Sequence, residues 1–161
     1  YTMDNIETGG NRMISLQPVT KENYEDCCRL QVAKEQEEYV APNVFSLTQS
    51  KYLPERIPVA IYWDKTMIGF GLYGIDTERN ENWIFRFMLG RQYQGKGWGK
   101  QAFAAFLEMV CARAGYDAVY LSVNLENRTA QHMYRSFGFE DIGKMYCPEE
   151  KIMKKMIGAK K

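Results

Sequence analysis

The sequence predicts an α/β domain with a central mixed, mostly antiparallel sheet and helices on both faces. Three observations carry this. The hydrophobic pattern reads strand, two helices, three strands, helix, strand, helix, two strands. Asp64-Lys65 sits between two apolar runs as a hairpin turn. A single strand–helix–strand unit surrounds a glycine-rich segment at Arg91–Lys100. One such unit among hairpins does not make a doubly wound parallel sheet.

Taken in order, Tyr1 to Arg12 is polar, contains Gly9-Gly10, and is read as a vector-derived or disordered extension. Residues 13–161 are read as one domain. Ile14 to Pro18 alternates as a short strand. Thr20 is a plausible N-cap with Glu22 in the first turn, and Tyr24, Cys27, Cys28 and Val32 follow at helical spacing, which predicts a helix to about Val40, before Pro42. Ser46-Leu47-Thr48-Gln49 reads as a capping box opening a shorter helix. Pro54 and Pro58 bracket an irregular link.

Val59–Trp63 and Thr66–Tyr73 form the hairpin, in which Gly69 and Gly71 weaken the strand or mark a close backbone approach. Asn82–Leu89 is an aromatic-rich strand. A helix from about Gly97 to Ala114 buries Ala102, Phe106, Met109 and Val110, and Gly115 ends it. Ala118–Val123 is a strand, Arg128–Phe137 a helix with Gly138 after it, and Phe139–Gly143 and Lys151–Ile157 are the last two strands.

Composition narrows the function. Hydrophobic residues make up 45% and charged residues 25%, an ordinary globular balance, and the formal net charge of +1 disfavours a nucleic-acid coat. No apolar run reaches the roughly 20 residues of a membrane span, and nothing at the start has a signal-peptide layout. With no Cys-x-x-Cys and His132 as the only histidine, a structural zinc site lacks ligands. Cys27, Cys28, Cys111 and Cys147 are read as reduced thiols in a cytoplasmic protein. The lysines at 151, 154, 155, 160 and 161 are read as a solvated edge strand and tail.

The glycine segment carries the chemistry. Gly95, Gly97 and Gly99 alternate between a strand and a long helix, so that backbone N–H groups can converge on an anion. The helix start behind them adds unpaired donors and dipole, and Arg91, Lys96 and Lys100 add charge. This is a pyrophosphate cradle on physical grounds. A Walker A loop is absent, and a dinucleotide fold is disfavoured by the preceding hairpin and by the lack of an acidic residue at the ribose position.

Gln94-x-x-Gly97-x-Gly99 resembles the cofactor loop of the Gcn5-related N-acetyltransferases (GNAT). Asn124, Asn127, Ala130 and Tyr134 resemble that family's second signature, and Phe137-Gly138-Phe139 the turn after it. The resemblance spans about residues 14–157. It implies a GNAT-like sheet whose fourth and fifth strands splay apart, acetyl-CoA as donor, and a primary amine as acceptor. By the same resemblance, Gln94, Gly95, Lys96, Gly97, Trp98, Gly99 and Lys100 bind the CoA pyrophosphate. The main chain of Met88 and Leu89 pairs with pantetheine, and Asn127 orients the cofactor. An N–H near Leu89 would stabilise the oxyanion. Tyr134 would be the general acid; the competing reading is a tyrosine packed in the core. His132, two residues away, falls on another helix face.

The base stays open. By the resemblance, the family's usual glutamate position falls on Trp83, and Glu81 lies two residues earlier. Glu81 through water, a group from elsewhere, or bulk water are the alternatives. For the acceptor, Glu35 and Glu38 are three residues apart on the predicted first helix, with Tyr39 beside them. That segment resembles the one in bacterial spermidine/spermine acetyltransferases, which implies a polyamine. A solvated acidic helix face, a peptide N-terminus or an aminoglycoside are the competing readings. The fold also admits a non-catalytic acyl-CoA sensor or partner-binding domain. No metal, nucleic acid or membrane is expected, and the family leaves a homodimer open.

Overall fold

The computed structural model describes residues 14–158; the extension read over 1–12, and Lys160 and Lys161, lie outside the described residues. In chain order the elements are β1 Ile14–Pro18, α1 Tyr24–Arg29, α2 Asn43–Tyr52, β2 Arg56–Trp63, β3 Thr66–Asp76 and β4 Glu81–Leu89. Then come α3 Trp98–Cys111, β5 Ala118–Asn124, α4 Arg128–Ser136, β6 Glu140–Cys147 and β7 Glu150–Met156. Single 3₁₀ turns occupy Lys34–Gln36 and Arg91–Tyr93.

The strands form one seven-stranded sheet in the order β1-β2-β3-β4-β5-β7-β6. Only β4 and β5 run parallel, as their crossover through α3 requires. This is the mixed, mostly antiparallel sheet the sequence predicts. Side chains alternate along each strand, so one strand feeds two cores. Val59 and Ile61 face Phe103, Phe106 and Val110 of α3, whereas Ala60, Phe70 and Leu72 face Cys27 and Leu30 on the opposite side. A Cβ on Gly71 would come within 2.5 Å of the Phe106 ring, so the expected close approach is real.

Three expectations about the elements are corrected. The first helix stops at Arg29 instead of reaching Val40. Leu30 is extended and buried, and the Gln31 carbonyl accepts a hydrogen bond from Arg91 N at 2.8 Å. Tertiary pairing therefore outweighs helical spacing. Residues 31–42 become an irregular wall in which Ala33 N donates to Gln36 Oε1 at 3.2 Å. The second helix begins at Asn43 rather than at Ser46; buried Asn43 donates through Nδ2 to the Cys27 carbonyl at 2.9 Å, which anchors the first turn. Pro58 lies inside β2, one residue past the last pair with β1 (Pro18↔Val59), on the stretch of β2 that β1 leaves unpaired.

The lysine run is also corrected in part. Lys151 is buried and pairs with Asp141 at 3.0 Å, and Lys154 Nζ lies 5.4 Å from the Tyr120 ring centre. Among the described residues no helix is long and apolar enough to cross a membrane.

Candidate active site

The site begins with a strand irregularity. Leu72 on β3 stands opposite Arg86 and Tyr73 stands opposite Ile84, which leaves Phe85 as an extra residue in β4. Such a bulge bends and twists its strand. The pairing of β4 with β5 covers Asn82↔Val119, Trp83↔Tyr120 and Ile84↔Leu121 and stops there. Beyond it β5 stays with β7 through Asn124↔Glu150. The two central strands thus part at the bulge, and a cavity of about 500 Å³ opens between them.

Four walls meet in this cavity. Glu37, Glu38 and Tyr39 come from the irregular segment, Arg86 and Phe87 from β4, Ser122 and Asn124 from β5, and Asn127 and Tyr134 from α4. Glu150, at the start of β7, closes one side. The volume falls in the range of small-molecule sites.

Tyr134 packs among aromatic rings and faces the cavity as well. Its ring packs on Phe103 (5.3 Å between centres) and Phe139 (6.0 Å), and the residue also lines the cavity. Burial, and secondarily the charge of Glu150, pushes its phenol up to about 12. The proton therefore stays on the oxygen throughout the physiological range. His132 is exposed on another face of α4, as expected.

Asn127 lines the cavity and caps α4: its Oδ1 accepts from Ala130 N at 3.1 Å. Buried Gln131 donates through Nε2 to the carbonyls of Asn124 and Leu125, both at 2.9 Å, fixing α4 to the end of β5.

The glycine loop follows β4. Gly95 and Gly97 have φ of +72° and +78°, left-handed values that glycine adopts freely, and Gly97 opens α3 with no side-chain cap. A Cβ at either position would meet nothing within 4 Å, so the glycines serve the backbone path and the outward surface, not internal packing. Lys96 and Lys100 are exposed; Lys96 Nζ lies 5.1 Å from the ring centre of Trp98, which stacks on Trp63 at 4.9 Å. Gln94 acts inward. Its Nε2 donates to the Leu89 carbonyl at 3.0 Å and to Gln36 Oε1 at 2.8 Å, tying the loop to β4 and to the irregular wall. Met88 and Leu89 bury their side chains in the two cores, one on each sheet face, so only their main chain is left for a ligand.

Two expectations about acidic residues change. Glu35 and Glu38 do not share a helix face, because only the single 3₁₀ turn Lys34–Gln36 forms there and Glu38 lies beyond it; Glu38 and Tyr39 line the cavity with Glu37, whereas exposed Glu35 does not. Glu81 leaves the cleft. Its Oε2 accepts from Trp83 Nε1 at 2.9 Å, and it lines a smaller recess with Asn80 and Tyr116.

Sequence reasoning missed Glu37, Arg56, Arg86, Ser122 and Glu150. Arg86 had a signal, as the lone charge within the apolar run Trp83–Leu89. Burial holds its guanidinium below the usual range against the opposing charge of Glu150. Its Nη1 donates to the Phe85 carbonyl at 2.6 Å, and its buried Nε has no partner among the described residues. Arg56 lies over the Phe85 ring at 4.2 Å. Glu150 had no local signal, since only the β5–β7 register brings it to the cleft.

The acetyltransferase (GNAT) family model matches residues 20–139. The chain is 30% identical over 150 residues to the spermine/spermidine N(1)-acetyltransferase of Bacillus subtilis, covering 89% of this chain and 99% of that protein. The fold is shared with the Vibrio cholerae spermidine N-acetyltransferase solved with CoA and spermine, at a TM-score of 0.71, 16% identity, and coverage of 89% of this chain and 95% of that one. It is shared also with a PaiA N-acetyltransferase from Thermoplasma acidophilum solved with coenzyme A, at a TM-score of 0.62, 18% identity, and coverage of 89% and 98%. The chain belongs to the acetyltransferase (GNAT) family and is by that membership an acetyl-CoA-dependent N-acetyltransferase.

Proposed function

We propose that the enzyme transfers the acetyl group to a primary amine of a polyamine such as spermidine or spermine, by direct attack of the amine on the thioester. The observation that carries this is the convergence of Tyr134, Glu37, Glu38 and Tyr39 on one cavity at the point where β4 leaves β5. The names of the curated relatives support the acceptor class.

In this reading the outward amides of Gln94–Lys100 hold the CoA pyrophosphate at the start of α3, with Lys96 and Lys100 as flanking charges. The Met88–Leu89 main chain, on the β4 edge beyond its last β5 pair, receives the pantetheine arm as an added strand. Asn127 contributes from the start of α4. Tyr134 donates its proton to the departing sulfur, a role suited to a phenol that stays protonated. Glu37 and Glu38 pair with distal ammonium groups while Tyr39 covers methylenes. Residues 13–161 act as one domain in the cytoplasm, where the four free cysteines stay reduced.

One observation favours a second reading. Arg56 and Arg86 also line the cavity, and a peptide acceptor would offer them carbonyls and a carboxylate. Thiol release measured over polyamines, monoamines, short peptides and aminoglycosides separates the readings. Highest kcat/KM with spermidine or spermine supports the first; highest with a peptide supports the second. No turnover of any amine would return the chain to a non-catalytic acyl-CoA-binding role.

A further inference from the structure

Amine acetylation near neutral pH needs a base, because an alkyl ammonium has no lone pair with which to attack. In this chain β4 presents no carboxylate to the cleft: Trp83 is buried and Glu81 is hydrogen-bonded to it outside the cavity. One strand presents a carboxylate beside Tyr134 instead. Glu150 opens β7 in register with Asn124, is half-buried, and lines the same cavity as Tyr134. Its Oε2 accepts the Ser122 hydroxyl at 2.6 Å, so the carboxylate is held toward β5 rather than left free to turn to solvent. Tyr134 on α4 and Arg86 on β4 both lie close enough to Glu150 to feel its charge.

We propose that Glu150 is the general base that deprotonates the acceptor ammonium. The proposal rests on the amine acetyltransferase reading and supplies the proton acceptor it lacks. An N–H bond of the ammonium breaks and its proton passes to the Glu150 carboxylate. The freed lone pair forms the C–N bond to the thioester carbonyl carbon, giving a tetrahedral oxyanion. The oxyanion collapses, the C–S bond breaks, and the sulfur takes the Tyr134 proton. The second nitrogen proton returns to the phenolate, and Glu150 releases its own to water. Base and acid thus sit on two elements, β7 and α4, that border one cavity.

Several charged and titratable groups face the same cavity as Glu150. Ser122 on β5 donates to it; Arg86 on β4 and Arg56 on β2 bring positive charge to the cleft; Tyr134 on α4 and Tyr146 on β6 add phenols; Glu37 and Glu38 on the irregular wall add negative charge. The Ser122 hydroxyl donates to Oε2 and so holds the carboxylate in place for the proton transfer.

The test compares wild type, Glu150→Gln and Ser122→Ala on the amine that wild type acetylates fastest and on a low-pKa amine such as aminoacetonitrile, across pH. Glutamine keeps the shape and an acceptor for Ser122 but cannot take the proton. For the ordinary amine, kcat should fall about 10²-fold, and kcat/KM should then climb with the free-amine fraction to high pH. For the low-pKa amine, already neutral at the assay pH, the loss should nearly vanish. Acetyl-CoA affinity by calorimetry should not change. Ser122→Ala, which removes the bond that orients the carboxylate, should lower kcat on the ordinary amine less than Glu150→Gln does, again with little loss on the low-pKa amine. An equal loss on both amines, or a Glu150→Gln pH profile unchanged from wild type, overturns the base assignment while turnover by wild type upholds the acetyltransferase reading. Absence of turnover by wild type with every amine overturns both.

Discussion

The Nε2 of Gln131 donates to the carbonyl of Asn124 at 2.9 Å from a side chain with no exposed surface. The same group reaches the Leu125 carbonyl, so one amide holds the end of β5 against the first turn of α4. Tyr134 lies three residues further along that helix. The contact therefore links backbone geometry at the splayed strands to the placement of the candidate acid.

Gln131→Met keeps the volume and removes both donors. The Asn124 carbonyl keeps its bond from Asn127 N at 3.1 Å, but the Leu125 carbonyl loses the Gln131 donor, and a buried carbonyl left without a partner costs about 1–3 kcal/mol. Urea unfolding should show an unfolding free energy lowered by that amount, seen as a lower midpoint with an unchanged slope. A loss below about 0.5 kcal/mol would mean that water or a rearranged helix end satisfies the Leu125 carbonyl.

The glycine loop yields a sharper test than simple bulk. Because a Cβ at Gly97 meets nothing within 4 Å, a substitution there acts through the left-handed φ of +78° and through the outward surface. Asparagine tolerates that φ better than most residues, whereas valine does not. Gly97→Asn should fold with near-normal stability and still lose CoA affinity, since its side chain occupies the phosphate approach. Gly97→Val should lose both affinity and some stability. Calorimetry and thermal unfolding on the two variants check this, and full CoA affinity in Gly97→Asn would remove Gly97 from the cradle.

Much of the fold was legible because period-two and period-3.6 patterns report burial directly. The continuous apolar run through Val59, Ala60 and Ile61 and the apolar stripe of α3 needed no tertiary information. The loop and Tyr134 were legible as motifs. The irregular wall was not: helical spacing from Tyr24 to Val32 looked continuous, and the interruption comes from a hydrogen bond between Gln31 and Arg91, 60 residues apart in the chain. Glu37 reached the cavity and Glu35 left it for that reason. Glu150 and Ser122 lie 28 residues apart and meet only through strand register, which no local pattern encodes.

Tyr134→Phe keeps the ring against Phe103 and Phe139 and deletes the donor. Turnover should fall about 10²- to 10⁴-fold with acetyl-CoA binding unchanged. With the phenol held up to about 12, the wild-type rate should show no alkaline limb from this group below about pH 10 in the free enzyme. Near-normal turnover of the variant would leave Tyr134 with packing alone.

Alkaline stability follows from the same burial. Cys27, fully buried, is pushed up to about 12 from 9.0, first by desolvation and then by Cys28. Between about pH 9 and 12 the folded chain keeps a proton that the unfolded chain has lost, so stability falls as pH rises through that window and is unaffected below it. Tyr134 adds the same sign between about 10 and 12. Cys27→Ala should be less stable at pH 7, through the lost packing, but should show a shallower decline from pH 8.5 to 10.5 in urea titrations. Parallel declines would mean that Cys27 ionises in the native state.

The acceptor prediction turns on which glutamates face the cavity. Glu37 and Glu38 line it with Tyr39, and Glu35, one turn earlier, does not. A distal ammonium paired to a carboxylate is bound equally before and during attack, so its loss appears in KM and not in kcat. Both side chains are exposed, which limits each pair to about 1 kcal/mol or less and each KM increase to about two- to fivefold. Such pairs weaken with salt, so the variants should also show a flatter dependence of spermidine KM on ionic strength. We expect Glu37→Gln and Glu38→Gln to behave in this way, the double variant more strongly, and Glu35→Gln to match wild type. A monoamine of similar length has no second ammonium and should respond less. Steady-state kinetics with spermidine and the monoamine at two salt concentrations decide it. Equal KM in all variants would mean that these carboxylates only solvate the wall, and a larger effect at Glu35 than at Glu38 would place the acceptor outside the cavity.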